Sequence, residues 1–168
     1  MSAQSIEMKH RLAVIEARLE ASENQIEELK KKESTMVMFT AIIQKGGAYG
    51  PFNTNVTLTY NNVIMNIGDG YNSSTGIFVA PVAGVYYFTF SYHAGGHEKT
   101  ILDMYKNSTL IVRSSDHKSN VVTAHNGGNA SFLQLVKGDQ VYVRMLAQSH
   151  IWAAELHTTF SGFLVSPM

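Results

Sequence analysis

The chain has no cysteine. Disulfides, thiolate metal sites and cysteine nucleophiles are therefore excluded, although this alone does not fix a redox compartment. Charge is also scarce, at 15% of residues against roughly 25% in an average soluble domain. The 13 basic and 13 acidic residues cancel, which argues against a general electrostatic binder of nucleic acid, whose footprint is a basic excess. No apolar run approaches the roughly 20 residues of a membrane-spanning helix. No signal peptide is expected at this N-terminus, because Met1-Ser2-Ala3-Gln4-Ser5 runs straight into charged sequence. Gly-x-Ser-x-Gly, Walker and His-Glu-x-x-His motifs are all missing, so catalysis is not expected.

What is present divides sharply. Residues 1–35 hold half of the charged residues and no Gly, Pro or aromatic residue, whereas 36–168 hold all 13 Gly, all 3 Pro and every Phe, Tyr and Trp. A charged, glycine-free segment followed by a glycine-rich aromatic one predicts a helix and then a β domain. At 168 residues and 45% hydrophobic, the chain is long enough for one cored domain plus a small extra element.

Residues 1–35 carry a heptad seam. Position a falls at Leu12, Leu19 and Ile26, and d at Met8, Ile15, Ser22, Leu29 and Met36, with Ser22 as the interruption. In parallel register Arg11 meets Glu16 and Arg18 meets Glu23 of the neighbouring helix, and both contacts are attractive. The strand number is mixed: Leu12 with Ile15 leans toward three or four, Ile26 with Leu29 toward two. The alternative is an amphipathic helix packed on its own domain. No other helical pattern in the chain offers it a partner.

Residues 36–168 read as strand after strand: Met36–Gln44, Asn53–Tyr60, Asn62–Ile67, Gly76–Val79, Val85–His93, Thr100–Lys106, Leu110–Ser114, Ala130–Val136, Gln140–Leu146 and Thr158–Val165. Turn signals separate them, at Gly46-Gly47, Gly68-Asp69-Gly70, Gly95-Gly96, Asn126-Gly127-Gly128 and Gly138-Asp139. Even spacing without helices between means a sandwich, barrel or jelly roll. Gly138-Asp139, between two apolar runs, predicts a hairpin.

The run Gly84-Val85-Tyr86-Tyr87-Phe88-Thr89-Phe90 turns Tyr86, Phe88 and Phe90 to one face of one strand. With Phe78, Tyr71 and Asn66 upstream, and Phe160-Ser161-Gly162-Phe163-Leu164-Val165 at the end, this pattern resembles the globular-head family of complement component C1q over about residues 37–168. Tyr60 departs from it, standing where that motif usually has Phe. Gly138-Asp139-Gln140-Val141 is similar to the family's penultimate hairpin. No Gly-X-Y collagen repeat is present. The resemblance implies an all-β, ten-stranded jelly-roll sandwich over 36–168, preceded by a parallel coiled coil over 1–35. It also implies a compact homotrimer similar to tumour necrosis factor, a secreted and extracellular location, and binding rather than catalysis. Tyr86, Phe88, Phe90, Phe160 and Phe163 then serve the core or the subunit interface. A domain this poor in charge also gains from hiding surface in a trimer.

Several members of that family bind calcium near the trimer's apex. The resemblance places Asp116, in Ser115-Asp116-His117-Lys118, as the acidic ligand, with His117 and His125 where other members offer oxygens. Imidazole is a poor substitute for calcium's six to eight oxygens, and Asp116 also reads as a turn residue bonded to its own backbone. His93, His97, His117, His125, His150 and His157 all fall in the β domain. They fit a pH-sensitive or zinc-binding apex, or simply solvated loops. Loops 69–74, 116–122, 125–129 and 148–157 are the candidate recognition segments, with His117, Lys118, His125, His150 and the lone Trp152 as candidate contacts. Asn55, Asn72, Asn107 and Asn129 each begin an Asn-x-Ser/Thr acceptor. Asn107 is the glycosylation candidate, because Lys106-Asn107-Ser108-Thr109 reads as an exposed hairpin tip.

Three functions fit these features. The first is recognition of microbial or altered-self surfaces in innate immunity. The second is a signalling ligand that clusters a receptor, as tumour necrosis factor and the cerebellins do. The third is a structural matrix protein, which the missing collagen repeat disfavours.

Overall fold

A computed structural model describes residues 3–121 and 123–168, with the side chains of 31–34 set aside. Met1, Ser2 and Val122, the last of these in the 116–122 segment, lie outside the described residues. The chain forms two compact units, 1–35 and 36–168. The first is a single helix, α1 (Ala3–Ser34), built from helix-favouring residues with no Gly or Pro to break it. Leu12, Ile15, Leu19, Ile26 and Leu29 are all exposed along it. Arg11 pairs with Glu7 one turn back at 2.7 Å. Met36, the last d position of the heptad reading, falls beyond the helix.

The second unit is an antiparallel sandwich whose strands are β1 (Met38–Ile42), β2 (Ala48–Tyr49), β3 (Val56–Thr57), β4 (Asn62–Ile67), β5 (Tyr71–Asn72), β6 (Ile77–Val79), β7 (Gly84–Ala94), β8 (Thr100–Lys106), β9 (Thr109–Asp116), β10 (His125–Leu135), β11 (Gln140–Met145), β12 (Ile151–Trp152) and β13 (Thr159–Pro167). One sheet runs β10-β7-β13-β1-β4; the facing sheet runs β5-β6-β11-β8-β9, with β3 also on β11; β12 pairs β2 separately. The expected ten strands become thirteen because three two-residue strands, β2, β5 and β12, add short ladders.

The core follows from alternation. Tyr86, Phe88 and Phe90 on β7 are buried within the chain itself, as is Phe160 on β13, so all four are core residues. Phe39 is the hub: it stacks on Tyr71 at 4.7 Å and Phe78 at 5.3 Å, and meets Phe160 edge-on at 4.9 Å. Gly162 exists to admit this cluster. A Cβ there would collide with the Phe88 ring and stand 2.9 Å from Phe39.

Tyr60, also fully buried, carries a hydroxyl with no hydrogen-bond partner. The Tyr71 hydroxyl instead donates to the Tyr60 carbonyl and accepts from the Tyr60 amide, both at 3.1 Å. Burial raises both phenol pKa values well above the ordinary 10.0.

Two sequence expectations fail here. Asn126-Gly127-Gly128 is not a turn; it is strand, paired with Ser91, Tyr92 and His93 of β7. Those glycines serve close approach, since a Cβ at Gly127 would meet the Tyr92 hydroxyl at 2.5 Å and one at Gly128 would strike the Phe90 carbonyl. Gly138-Asp139 does form a turn, with Gly138 at φ 93°, but no hairpin. It carries the chain from β10 in one sheet to β11 in the other, where Asp139 Oδ2 accepts the Val136 amide at 3.0 Å.

Candidate functional site

The two sheets differ in chemistry. The strands β1, β4, β7, β10 and β13 contain no Asp, Glu, Lys or Arg, whereas the facing sheet holds Asp103, Lys106, Arg113, Asp116 and Arg144. Asp103 there is fully buried and takes a bidentate grip from Arg113, at 2.6 and 2.8 Å.

Across the outward side of the uncharged sheet, register aligns Phe132, Tyr87, Phe163, Met38 and Ile67 in one row. Tyr87 lies between Phe132 at 4.9 Å and Phe163 at 5.6 Å. Phe132 is 65% and Phe163 44% exposed. Phe163 is thus a surface residue, unlike the four other aromatics grouped with it. Beyond this belt the face turns to small hydroxyls, with Thr40 bonded to Ser161 at 3.0 Å and Ser91 to Thr159 at 2.7 Å.

The first residue of β7, Gly84, pairs with Pro167 next to the C-terminus, and its last, Ala94, pairs with His125. The segments after β7, β9 and β11 therefore gather at the end of the sandwich away from the C-terminus. Two histidine clusters form there, with Gly95-Gly96 between them. In the first, His125 Nδ1 contacts Asp116 Oδ2. Asp116 ends β9, and its charge reinforces the dominant effect of burial in raising the Tyr92 pKa.

In the second, His150 is only 6% exposed. Its Nε2 accepts the Gly95 amide at 3.3 Å, which puts the proton of the neutral ring on Nδ1, an atom without a partner. Burial holds its pKa below the ordinary 6.5; His97 pushes the same way and Glu98 opposes. Trp152, on β12 and not in a loop, lines a cleft of about 440 Å³ with His150, His93, His97 and Glu155. The His93 ring stacks on His157 at 4.7 Å. Its Nδ1 donates to Asn126 Oδ1 at 2.8 Å, and His157 Nε2 donates to Glu155 at 3.3 Å.

Of the residues singled out from sequence, the fold thus brings His150 to Trp152 and His125 to Asp116. His117 is exposed, and Lys118 pairs with Glu98 at 3.6 Å. Sequence reasoning did not bring His93 and Glu155 into the cleft. For His93 a signal existed: it alternates with Tyr92, and so leaves the core face. Asn107 does sit at the β8–β9 tip, at φ 54°. Its amide is engaged at both ends, donating to Asp139 at 3.0 Å and accepting from the Gln140 amide at 2.9 Å.

Within one copy of the chain, the side chains around Asp116 do not by themselves complete a calcium site. One carboxylate, already held by an imidazole, falls short of the oxygens the ion needs. Among the described residues no three His, Asp or Glu side chains stand close enough to hold any metal.

Comparison with known proteins agrees with this architecture. A family model described as the C1q domain matches residues 38–165. The mouse collagen alpha-1(X) chain is 31% identical over 133 residues, covering 77% of this chain and 19% of its own. Human complement C1q tumor necrosis factor-related protein 3 is 34% identical over 116 residues, covering 67% of this chain and 46% of its own. The chain thus spans less than half the length of these relatives. Among solved structures, the globular domain of zebrafish complement 1qA protein superposes with a TM-score of 0.64 at 21% identity, over 79% of this chain and 99% of that one. The Eiger TNF from S. frugiperda gives 0.60 at 12% identity, over 79% and 94%. No helix among the described residues is long and apolar enough to cross a membrane. With its jelly-roll sandwich and a family match over most of its length, the chain belongs to the C1q domain family.

Proposed function

We propose that the chain is a secreted, homotrimeric C1q-like recognition protein that binds microbial or altered-self surfaces and acts by binding rather than by catalysis. The observation that carries the trimer is the uncharged sheet. An outward face without charge, crossed by an exposed aromatic belt, is costly in a solvated monomer and suits burial between copies. The exposed Leu and Ile seam of α1 supports the same association, as a parallel coiled coil that joins the N-termini.

With that face covered, the end carrying the histidine clusters and Trp152 remains for ligand. Three copies of it supply avidity, so weak single contacts suffice. The second reading is a signalling ligand that clusters a cell-surface receptor; the likeness to tumour necrosis factor folds favours it.

Binding of the full chain to bacterial cells, measured beside binding to cultured animal cells, separates the two. Microbial binding that falls when Lys118, His125, His150 and Trp152 are substituted supports recognition. Saturable nanomolar binding to one animal cell type, without microbial binding, would establish the signalling reading instead.

A further inference from the structure

The Trp152 cleft has a definite chemistry. Its volume, about 440 Å³, lies within the range of small-molecule sites. The indole of Trp152 forms one wall. The deepest residue is His150, nine-tenths buried, with Nε2 held by the Gly95 amide and Nδ1 shut off from solvent, so it forms the floor. His93 has spent Nδ1 on Asn126 and keeps Nε2. His97, Glu155 and Thr123 add polar groups at the rim. Glu155 and Leu156 hold that rim in consecutive left-handed conformations, at φ 56° and 64°. L-residues adopt these reluctantly, and such backbone collects at ligand sites.

No Lys or Arg lines the cleft, and the nearby Lys118 is paired with Glu98. A phosphate, sulfate or carboxylate ligand would meet no permanent positive charge. A cation would meet one exposed carboxylate and a single indole, well short of an aromatic cage. What suits these walls is an uncharged ligand with one flat apolar side and several hydroxyls. Its C–H face covers the indole. Its hydroxyls, which both donate and accept, meet imidazole nitrogens. Burial keeps His150 neutral at physiological pH.

We propose that this cleft is a subsite for a neutral saccharide, stacked on Trp152 over the His150 floor and hydrogen-bonded by His93 and His97. The proposal builds on the recognition reading above and names the ligand class for it.

Trp152 is the only tryptophan, so emission from the full-length protein reports on the cleft directly. The probes are mannan, a galactan and dextran, with heparin as the polyanionic control. The expected result is a saturable emission change with at least one neutral polysaccharide and none with heparin. Trp152→Phe should weaken binding to that polysaccharide on a coated surface by about tenfold. His97→Ala, at an exposed position and with the reporter kept, should shift the emission titration to higher polysaccharide concentration. Circular dichroism and solution mass confirm that both variants fold and assemble.

The assignment is overturned if no neutral polysaccharide changes the emission, if heparin alone does so, or if Trp152→Phe binds as well as the parent. Whole bacterial cells tested alongside keep the two readings apart. Cell binding that survives Trp152→Phe sinks the saccharide subsite and leaves recognition standing. An intact assembly that binds neither cells nor polysaccharide sinks both.

Discussion

Replacing a buried tyrosine by phenylalanine ordinarily costs stability, yet Tyr60→Phe should raise it. Tyr60 is fully buried, and its hydroxyl has no partner. Uncompensated burial of a hydroxyl costs about 1–3 kcal/mol on protein mutational scales. The variant keeps the ring, which contacts Phe160 at 5.5 Å between centroids. It forfeits only the dispersion contacts of one oxygen, about 0.1–0.2 kcal/mol each. The net gain is therefore about 1 kcal/mol or somewhat more, a rise of roughly 4 °C in melting temperature for a domain of this size.

Tyr71→Phe is the internal control. It is the same chemical change, but it removes a hydroxyl that serves both the amide and the carbonyl of Tyr60. Leaving those backbone groups unpaired should cost about 1–3 kcal/mol. Thermal melts followed by circular dichroism, at one chain concentration because assembly couples to folding, should move in opposite directions for the two variants. A lower or unchanged melting temperature for Tyr60→Phe would refute the reasoning, since it would mean that the hydroxyl is satisfied in the folded protein.

Other perturbations probe different parts of the account. Gly162→Ala drives a methyl into Phe88 and Phe39 and should destabilise by about 1–3 kcal/mol, read from a denaturant midpoint. For His150, burial favours the neutral ring. The unfolded chain therefore binds more protons below pH 6.5 than the fold does, and stability falls as pH drops through 6.5 toward the folded pKa. His150→Gln should remove that part of the acid sensitivity, seen as a flatter plot of melting temperature against pH. Phe163→Glu places one carboxylate from each copy on the apolar belt, and should raise the concentration at which the chains separate by about 100-fold or more.

How much of this was legible beforehand depended on what each residue answers to. Strands such as β7 were plain, because alternation in 84–94 answers to a single buried face. The core roles of Tyr86, Phe88, Phe90 and Phe160 followed from the same period. Phe163 breaks the pattern because it lies on the opposite face from Phe160, three residues away along a strand of period two. Gly127 and Gly128 misled because glycine is ambiguous: in a turn it supplies backbone freedom, and here it supplies room for Tyr92 and the Phe90 backbone. The Gly138-Asp139 turn was visible, but local sequence does not say whether the next strand joins the same sheet. The cleft was partly hidden for the same reason. His93 comes from β7, whereas His150 and Trp152 lie together at β12, and only tertiary packing brings the two segments to one wall. Nor could sequence show that His125 takes up the Asp116 carboxylate.

The central claim is that the uncharged sheet assembles copies of this chain into a trimer. Light-scattering mass of the full chain, measured with calcium and again with chelator, tests it most directly. The account predicts a mass of about three chains of 18.5 kDa in both conditions. It also predicts the same stoichiometry for residues 36–168 alone, because the belt lies in the β unit. A monomer or dimer would contradict it, and a trimer that forms only with calcium would contradict the reading of Asp116 as a carboxylate already taken by His125.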